Sequence, residues 1–373
     1  MISAAAGAAA CGPQKAAGYR GYALVANQGS SNVAVVDLLR FRLRKQIPLD
    51  AAPAEILAHP SATKAYAFAP EAGAIFEIDA ASLAVSRRAR ACNHAAAMAL
   101  APANGSASPA LWILSRDPDE LIELPLDSFV PRRRVRLPFP ADGFTLGAGD
   151  LAAVASYRDH AIAVVSLDRA AIERTIAARD EPSVLQFRRD GLQLLAGSHP
   201  GRAITIFETA SGKTVARLPL GIAPRNFCAD PTGGQLFVTG DGMDAVVIVY
   251  PYQTEIGETI LAGHAPDAMA VTLDSASLLL VANPEDRRVT ALDVNTQGKS
   301  LVTVVDVGQQ PRRIVVTPDN AYALVLNYGS GDLSVIRRAS LSVARPFRRP
   351  TPVFTMVPVG QEPVAAAVVP WSA

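Results

Sequence analysis

The chain has 373 residues, half of them apolar and 18% charged, which supplies a large core and excludes disorder as its main state. Its 35 basic and 34 acidic side chains leave a net charge of +1, so no basic field gathers nucleic acid, and neither DNA nor RNA is an expected partner. No run approaches the roughly 18 apolar residues of a membrane-spanning helix, and three cysteines without a CxxC spacing exclude a zinc ribbon, a thioredoxin-type site and a disulfide framework.

The first residues are small and apolar and end in Ala8-Ala9-Ala10-Cys11, resembling the end of a bacterial lipoprotein signal. On that resemblance Cys11 is the expected lipidation site. The chain is then expected outside the cytoplasm, in the periplasm or at the cell surface, touching a membrane only through that lipid. A disordered Ala-rich tail is the alternative. Residues 1–18 are set apart on either view, and 19–373 read as one domain.

From Tyr22 onward, runs of four to eight residues rich in Val, Ile, Leu and Ala alternate with Gly, Pro, Asp and Asn turns, the pattern of β-strands. Four runs make a unit. Units open near Pro53, Ala95, Phe144, Pro182, Pro224, Pro266, Pro311 and Pro363, about 40 to 50 residues apart, a spacing that marks a repeat architecture. The chain begins in mid-unit, with Tyr22 to Ala26, Val33 to Asp37 and Arg44 to Leu49, and ends after one strand, Val364 to Pro370; the two fragments complete one another. A four-stranded sheet with two apolar faces cannot bury both alone, whereas a radial ring of such sheets can. The expectation is an all-β propeller of eight four-stranded antiparallel blades, closed by the N- and C-terminal strands sharing one blade. Seven is the alternative count if 141–181 is not a blade. There Asp168 to Glu181 also reads as a short amphipathic helix, although Ala161 to Leu167 in the third-strand position favours a strand.

The units carry a recognisable repeat. Tyr22-Ala-Leu-Val-Ala-Asn27 is followed by Gly29-Ser30 and by Val33 to Asp37; Leu280-Val-Ala-Asn283 by Val289 to Asp293; Ala323 to Asn327 by Gly329-Ser330 and Leu333 to Ile336. These stretches resemble the repeat of the bacterial and archaeal YVTN β-propeller proteins, and the resemblance covers about residues 19 to 371. The units near Ala95 and Phe144 lack the Asn. The resemblance implies the fold; because propellers related to this group include lactonases and haem or quinone domains of periplasmic oxidoreductases, it also implies an enzyme alternative.

In a propeller, the loops leading into each first strand and those between second and third strands open on one face, around the channel mouth, where a rigid scaffold presents variable side chains. Candidate ligand contacts in those loops are His94, Asp142, Asp180, Glu181, Arg225, His264, Arg312, Arg313 and Glu362. Four of the five histidines lie there; His59, beside Pro60, reads as structural. His94 and His264 come from opposite units and cannot share one ion with ~2 Å bonds. His160 and His199 come from adjacent units and, with Asp159, are the candidate metal or acid/base group. The acids around Asp117-Pro118-Asp119 and Asp241 to Asp244 suit Ca²⁺ but lack the length of an EF-hand loop. No HExxH, Walker A or serine nucleophile elbow occurs, and Gly147-Ala148-Gly149 lacks the helix of a dinucleotide fingerprint. Arginine groups at Arg40 to Arg44, Arg87 to Arg90, Arg132 to Arg136 and Arg345 to Arg349 fall at fourth strands, where charge discourages edge-to-edge pairing. The expected function is non-catalytic binding of a protein, peptide or small ligand at the channel mouth, by a monomer without a cofactor. The alternative is a lactonase-type hydrolase or a cofactor-bearing periplasmic oxidoreductase domain.

Overall fold

The computed structural model describes residues 18–102, 108–273, 277–295, 299–341 and 352–371; Cys11 and the Arg345 to Arg349 group lie outside them. The described residues form eight four-stranded antiparallel sheets. Blade 1 joins the last strand, Pro363–Pro370, to the first three, Gly21–Asn27, Asn32–Asp37 and Arg42–Pro48. Blades 2 to 8 follow in order over 55–90, 94–136, 143–177, 184–219, 223–261, 269–306 and 311–358. The segment that left seven blades open is a complete blade, and its Ala171–Ala177 is the fourth strand, paired with Ala161–Ser166, rather than a helix.

Second and third strands are buried on both faces because each lies between two neighbouring blades, so they read as near-continuous apolar runs. Leu24 to Asn27 and Val33 to Asp37 are wholly buried. Fourth strands keep an exposed face, as in Thr214–Pro219, and carry more charged residues than the first, second or third strands. The core is divided into eight apolar clusters, each shared by two adjacent blades: Leu24, Val33 and Val35 of blade 1 meet Ala65, Ala67 and Phe76 of blade 2, and Leu324 and Val335 of blade 8 meet Ala23, Val25 and Val36 of blade 1. The ring closes in register from Gly21↔Pro370 to Ala26↔Ala365, then shifts by one residue to Asn27↔Pro363. Beyond it, Trp371 N donates to the Arg20 carbonyl at 3.1 Å and its ring lies 5.7 Å from that of Tyr22.

The outer arginines also join blades. Glu77, in the third strand of blade 2, is 1% exposed and accepts from Lys64 at 3.0 Å, Ser86 at 2.7 Å and Arg87 Nε at 2.9 Å. Burial pushes its carboxyl up, but these donors outweigh burial and bring it down to about 2. The same Arg87 reaches the carbonyls of Leu126 and Asp127 in blade 3. Arg132 and Arg133 repeat the arrangement around buried Glu123, and Arg133 reaches the Asp168 carbonyl of blade 4.

Candidate functional site

The loops leading into first strands and those between second and third strands share one face, and on it the four loop histidines each meet a carboxylate across a blade boundary. His94 Nε2 lies 3.3 Å from Glu71 of blade 2. His160 Nε2 of blade 4 lies 3.6 Å from Glu181, in the loop leading into blade 5. His199 Nε2 of blade 5 lies 2.9 Å from Asp241 of blade 6. His264, leading into blade 7, puts Nδ1 3.1 Å from Asp244 of blade 6 and Nε2 3.1 Å from Glu285.

Blades 6, 7 and 8 then frame a cleft of about 950 Å³. Arg225, the Gly240 to Asp244 turn, the loop from His264 to Asp267, Glu285, Gln310 and Arg312 line it. A backbone irregularity places the arginines. In blade 6, Pro224 pairs with Gly240 and Asn226 with Thr239; in blade 8, Pro311 pairs with Asn327 and Arg313 with Leu326. Arg225 and Arg312 are the skipped residues, and such a bulge re-aims a side chain at the end of a strand. Blade 6 has Gly240 where blades 1 and 8 have Asn27 and Asn327, so no side chain fills that corner of the cleft.

Asp241 takes His199 and, at 2.7 Å, Arg225, and the His199 hydrogen bond leads in holding its carboxyl below the usual range. Asp244 is held low first by the backbone N–H of Ala265, 3.0 Å away, and next by His264. The hydrogen bond to Asp244 is the main cause that raises His264. Asp267 accepts from Asn226 Nδ2 at 2.6 Å. Arg312 has no acid partner among the described residues; its guanidinium carbon lies 4.3 Å from the centroid of the Tyr328 ring.

Of the sequence candidates, Arg225, His264 and Arg312 share this cleft. Arg313 turns instead into the central channel, a 520 Å³ space lined mainly by first strands, and meets Glu55 at 3.5 Å. The backbone carbonyl of Glu362 accepts from Gln28 N of blade 1 at 2.9 Å. Asp142 accepts from Tyr157 N at 2.8 Å, and Asp180 from Arg217 Nε at 2.7 Å, both within their own blades. His160 and His199 turn to different acids, while Asp159 accepts from Ser156 Oγ at 2.8 Å. Among the described residues no three His, Cys, Asp or Glu side chains gather as a metal site. His59 accepts two backbone N–H groups at Nδ1, from Ser61 and Ala62. Burial pushes the Cys228 thiol up to about 11, away from nucleophilic use. Sequence reasoning placed Gln310 and Asp267 in the entry loops of this face but did not choose them as ligand contacts. Their position beside the proline that opens blades 7 and 8 is the signal that finds them, together with the residue after that proline in blades 6 and 8.

No family model and no curated sequence matches the chain, so the likeness to YVTN repeats rests on the residues quoted above. Solved structures do match. The dihydro-heme d1 dehydrogenase NirN, in complex with DHE, superimposes with a TM-score of 0.72 at 16% identity, over 93% of this chain and 75% of that one. Hydrazine synthase from Kuenenia stuttgartiensis gives 0.60 at 19% identity, over 78% and 97%. A 6-phosphogluconolactonase-like protein from Bacteroides uniformis ATCC 8492 gives 0.59 at 13% identity, over 94% and 100%. At these identities the likeness is one of fold: this chain is an eight-bladed β-propeller.

Proposed function

We propose that the chain is an exported, non-catalytic propeller that binds a small ligand or the end of a peptide in the cleft of blades 6 to 8. The observation that carries this reading is the convergence of Arg225, Asp241, His264, Glu285 and Arg312 on one cleft of about 950 Å³. That volume falls within the range of small-molecule sites; Arg225, Asp241 and Arg312 stand on the ends of strands, and His264 and Glu285 on the short loops between them. His264 supports binding over acid/base chemistry. A general base needs a free ring nitrogen, and both of its nitrogens face carboxylates. Export rests on the resemblance of the residues up to Cys11 to a lipoprotein signal.

Native mass spectrometry with elemental analysis, on protein purified gently from an envelope fraction, tests both parts. The expected result is an organic ligand on the native protein that is absent from a variant carrying Arg225→Ser and Asp241→Ser, with a lipid mass on Cys11. Retention of the ligand by the variant would remove the cleft as the site. A stoichiometric metal or chromophore, or turnover on a panel of lactones, would replace the binding reading with an enzyme.

A further inference from the structure

Building on the cleft as the binding site, we infer that its ligand carries a carboxylate and that Arg312 seats it. Arg312 stands at the bulge of blade 8, its guanidinium carbon over the Tyr328 ring, 4.3 Å from the centroid. Glu362, in the loop leading into blade 1, lies near the Tyr328 hydroxyl. The Arg312 contact is with the ring face, and the N–H fork of Arg312 makes no hydrogen bond among the described residues. The other cations of the cleft are already matched, Arg225 with Asp241 and His264 with Asp244 and Glu285. Arg312 has no carboxylate within ion-pair distance among the described residues, and a planar carboxylate fits its fork with two parallel hydrogen bonds.

The surrounding charge selects among anions. Asp241, Asp244, Asp267 and Glu285 line the same cleft as Arg225, Arg312 and His264, so the acids already exceed the cations by one: an anion is held only where it meets Arg312 directly, and a dianionic phosphate meets more like charge than a monoanionic carboxylate does. The acids also define the rest of the ligand. Glu285 gives Oε2 to His264 and Asp267 gives Oδ1 to Asn226, and the other oxygen of each is left to accept. A carboxylate at one end with hydroxyl or N–H donors at the other satisfies both sides. Sugar acids and peptides with a free C-terminus share that chemistry.

Calorimetric titration of the full chain with two matched pairs separates them: glucuronate against glucose, and triglycine against its C-terminal amide. In at least one pair the acid is expected to bind about tenfold or more tightly than its neutral partner, and Arg312→Gln is expected to erase that preference. The pair that responds identifies the source. Tyr328→Leu should weaken the acid by a smaller factor, since it loosens the platform and keeps the fork. An acid preference that survives Arg312→Gln overturns the assignment, as does the absence of acid binding in both pairs. Equal binding of acid and neutral partner, lost in Asp241→Ser, overturns the carboxylate while leaving the cleft as the binding site.

Discussion

At the scale of single residues, His264 is where geometry fixes a protonation state. A neutral imidazole has one N–H to donate, so facing Asp244 and Glu285 with opposite nitrogens favours the imidazolium, which donates from both. The Asp244 hydrogen bond raises its pKa most, and the Glu285 and Asp286 charges add to it. A group raised in the folded state contributes stability that is complete below its unfolded pKa, about 6.5, and is lost as pH rises through the folded value. The melting temperature of the wild type is therefore expected to exceed that of His264→Gln most below about pH 6.5 and to converge with it as pH rises above that value. A gap that is constant, or that widens with pH, in paired thermal melts would refute the clamp. The loops holding the histidines were legible in the sequence, and their partners were not. His160 and His199 occupy matching loops of adjacent blades, yet each reaches onward by one blade, to Glu181 and Asp241. The lean of a side chain across a blade boundary depends on how the sheets twist past one another, which no local pattern records.

At the scale of the element, one device recurs where strands meet the channel mouth. In blades 7, 8 and 1 the first strand is led in by Gly-x-x-Pro, with Ala265, Gln310 and Glu362 before the proline at φ of 51°, 51° and 54°. The left-handed turn folds the loop over the buried Asn of the second strand, and a Cβ on Gly308 would fall 2.6 Å from the Asn327 side chain. Glycine and asparagine are thus two halves of one contact. The units near Ala95 and Phe144, which lack the Asn, are blades nonetheless, because strand pairing needs only the alternation of apolar runs and turns. In the Phe144 unit, Ser156 caps the turn through Asp159 instead. Blade 6 departs differently: Gly240 stands in the Asn position, and a Cβ there would lie 1.9 Å from the Ala223 carbonyl oxygen. Gly240→Asn restores the repeat on paper, yet it is expected to destabilise the protein by about 2 to 3 kcal/mol, since the collision is with backbone. Urea unfolding measures this, and a neutral or stabilising effect would show that the close approach at Gly240 is not what shapes that side of the cleft.

At the scale of the whole molecule, stability and site both depend on ring closure. Each apolar cluster needs two blades, so a missing strand in blade 1 impairs two clusters together, with Ala365, Ala367 and Val369 withdrawn from the contact with blade 2 and Val364, Ala366 and Val368 no longer fixed beside blades 8 and 2. The strand Gly21–Asn27 would then present an unpaired apolar edge, a template for another chain. The sequence made this closure legible because its two terminal fragments add up to one unit. It left the cleft obscure because the cleft arises from blades 6, 7 and 8 standing side by side. Truncation after Gln361 is therefore expected to do more than remove one strand. The chain should lose its cooperative melt and form oligomers by strand exchange, and a synthetic peptide spanning 361–373 should restore both the melt and the monomer. Size-exclusion chromatography with thermal melts, run with and without the peptide, decides it. A truncated chain that stays monomeric and melts like the intact protein would mean that the ring is held by its blade interfaces alone, with the shared blade contributing little.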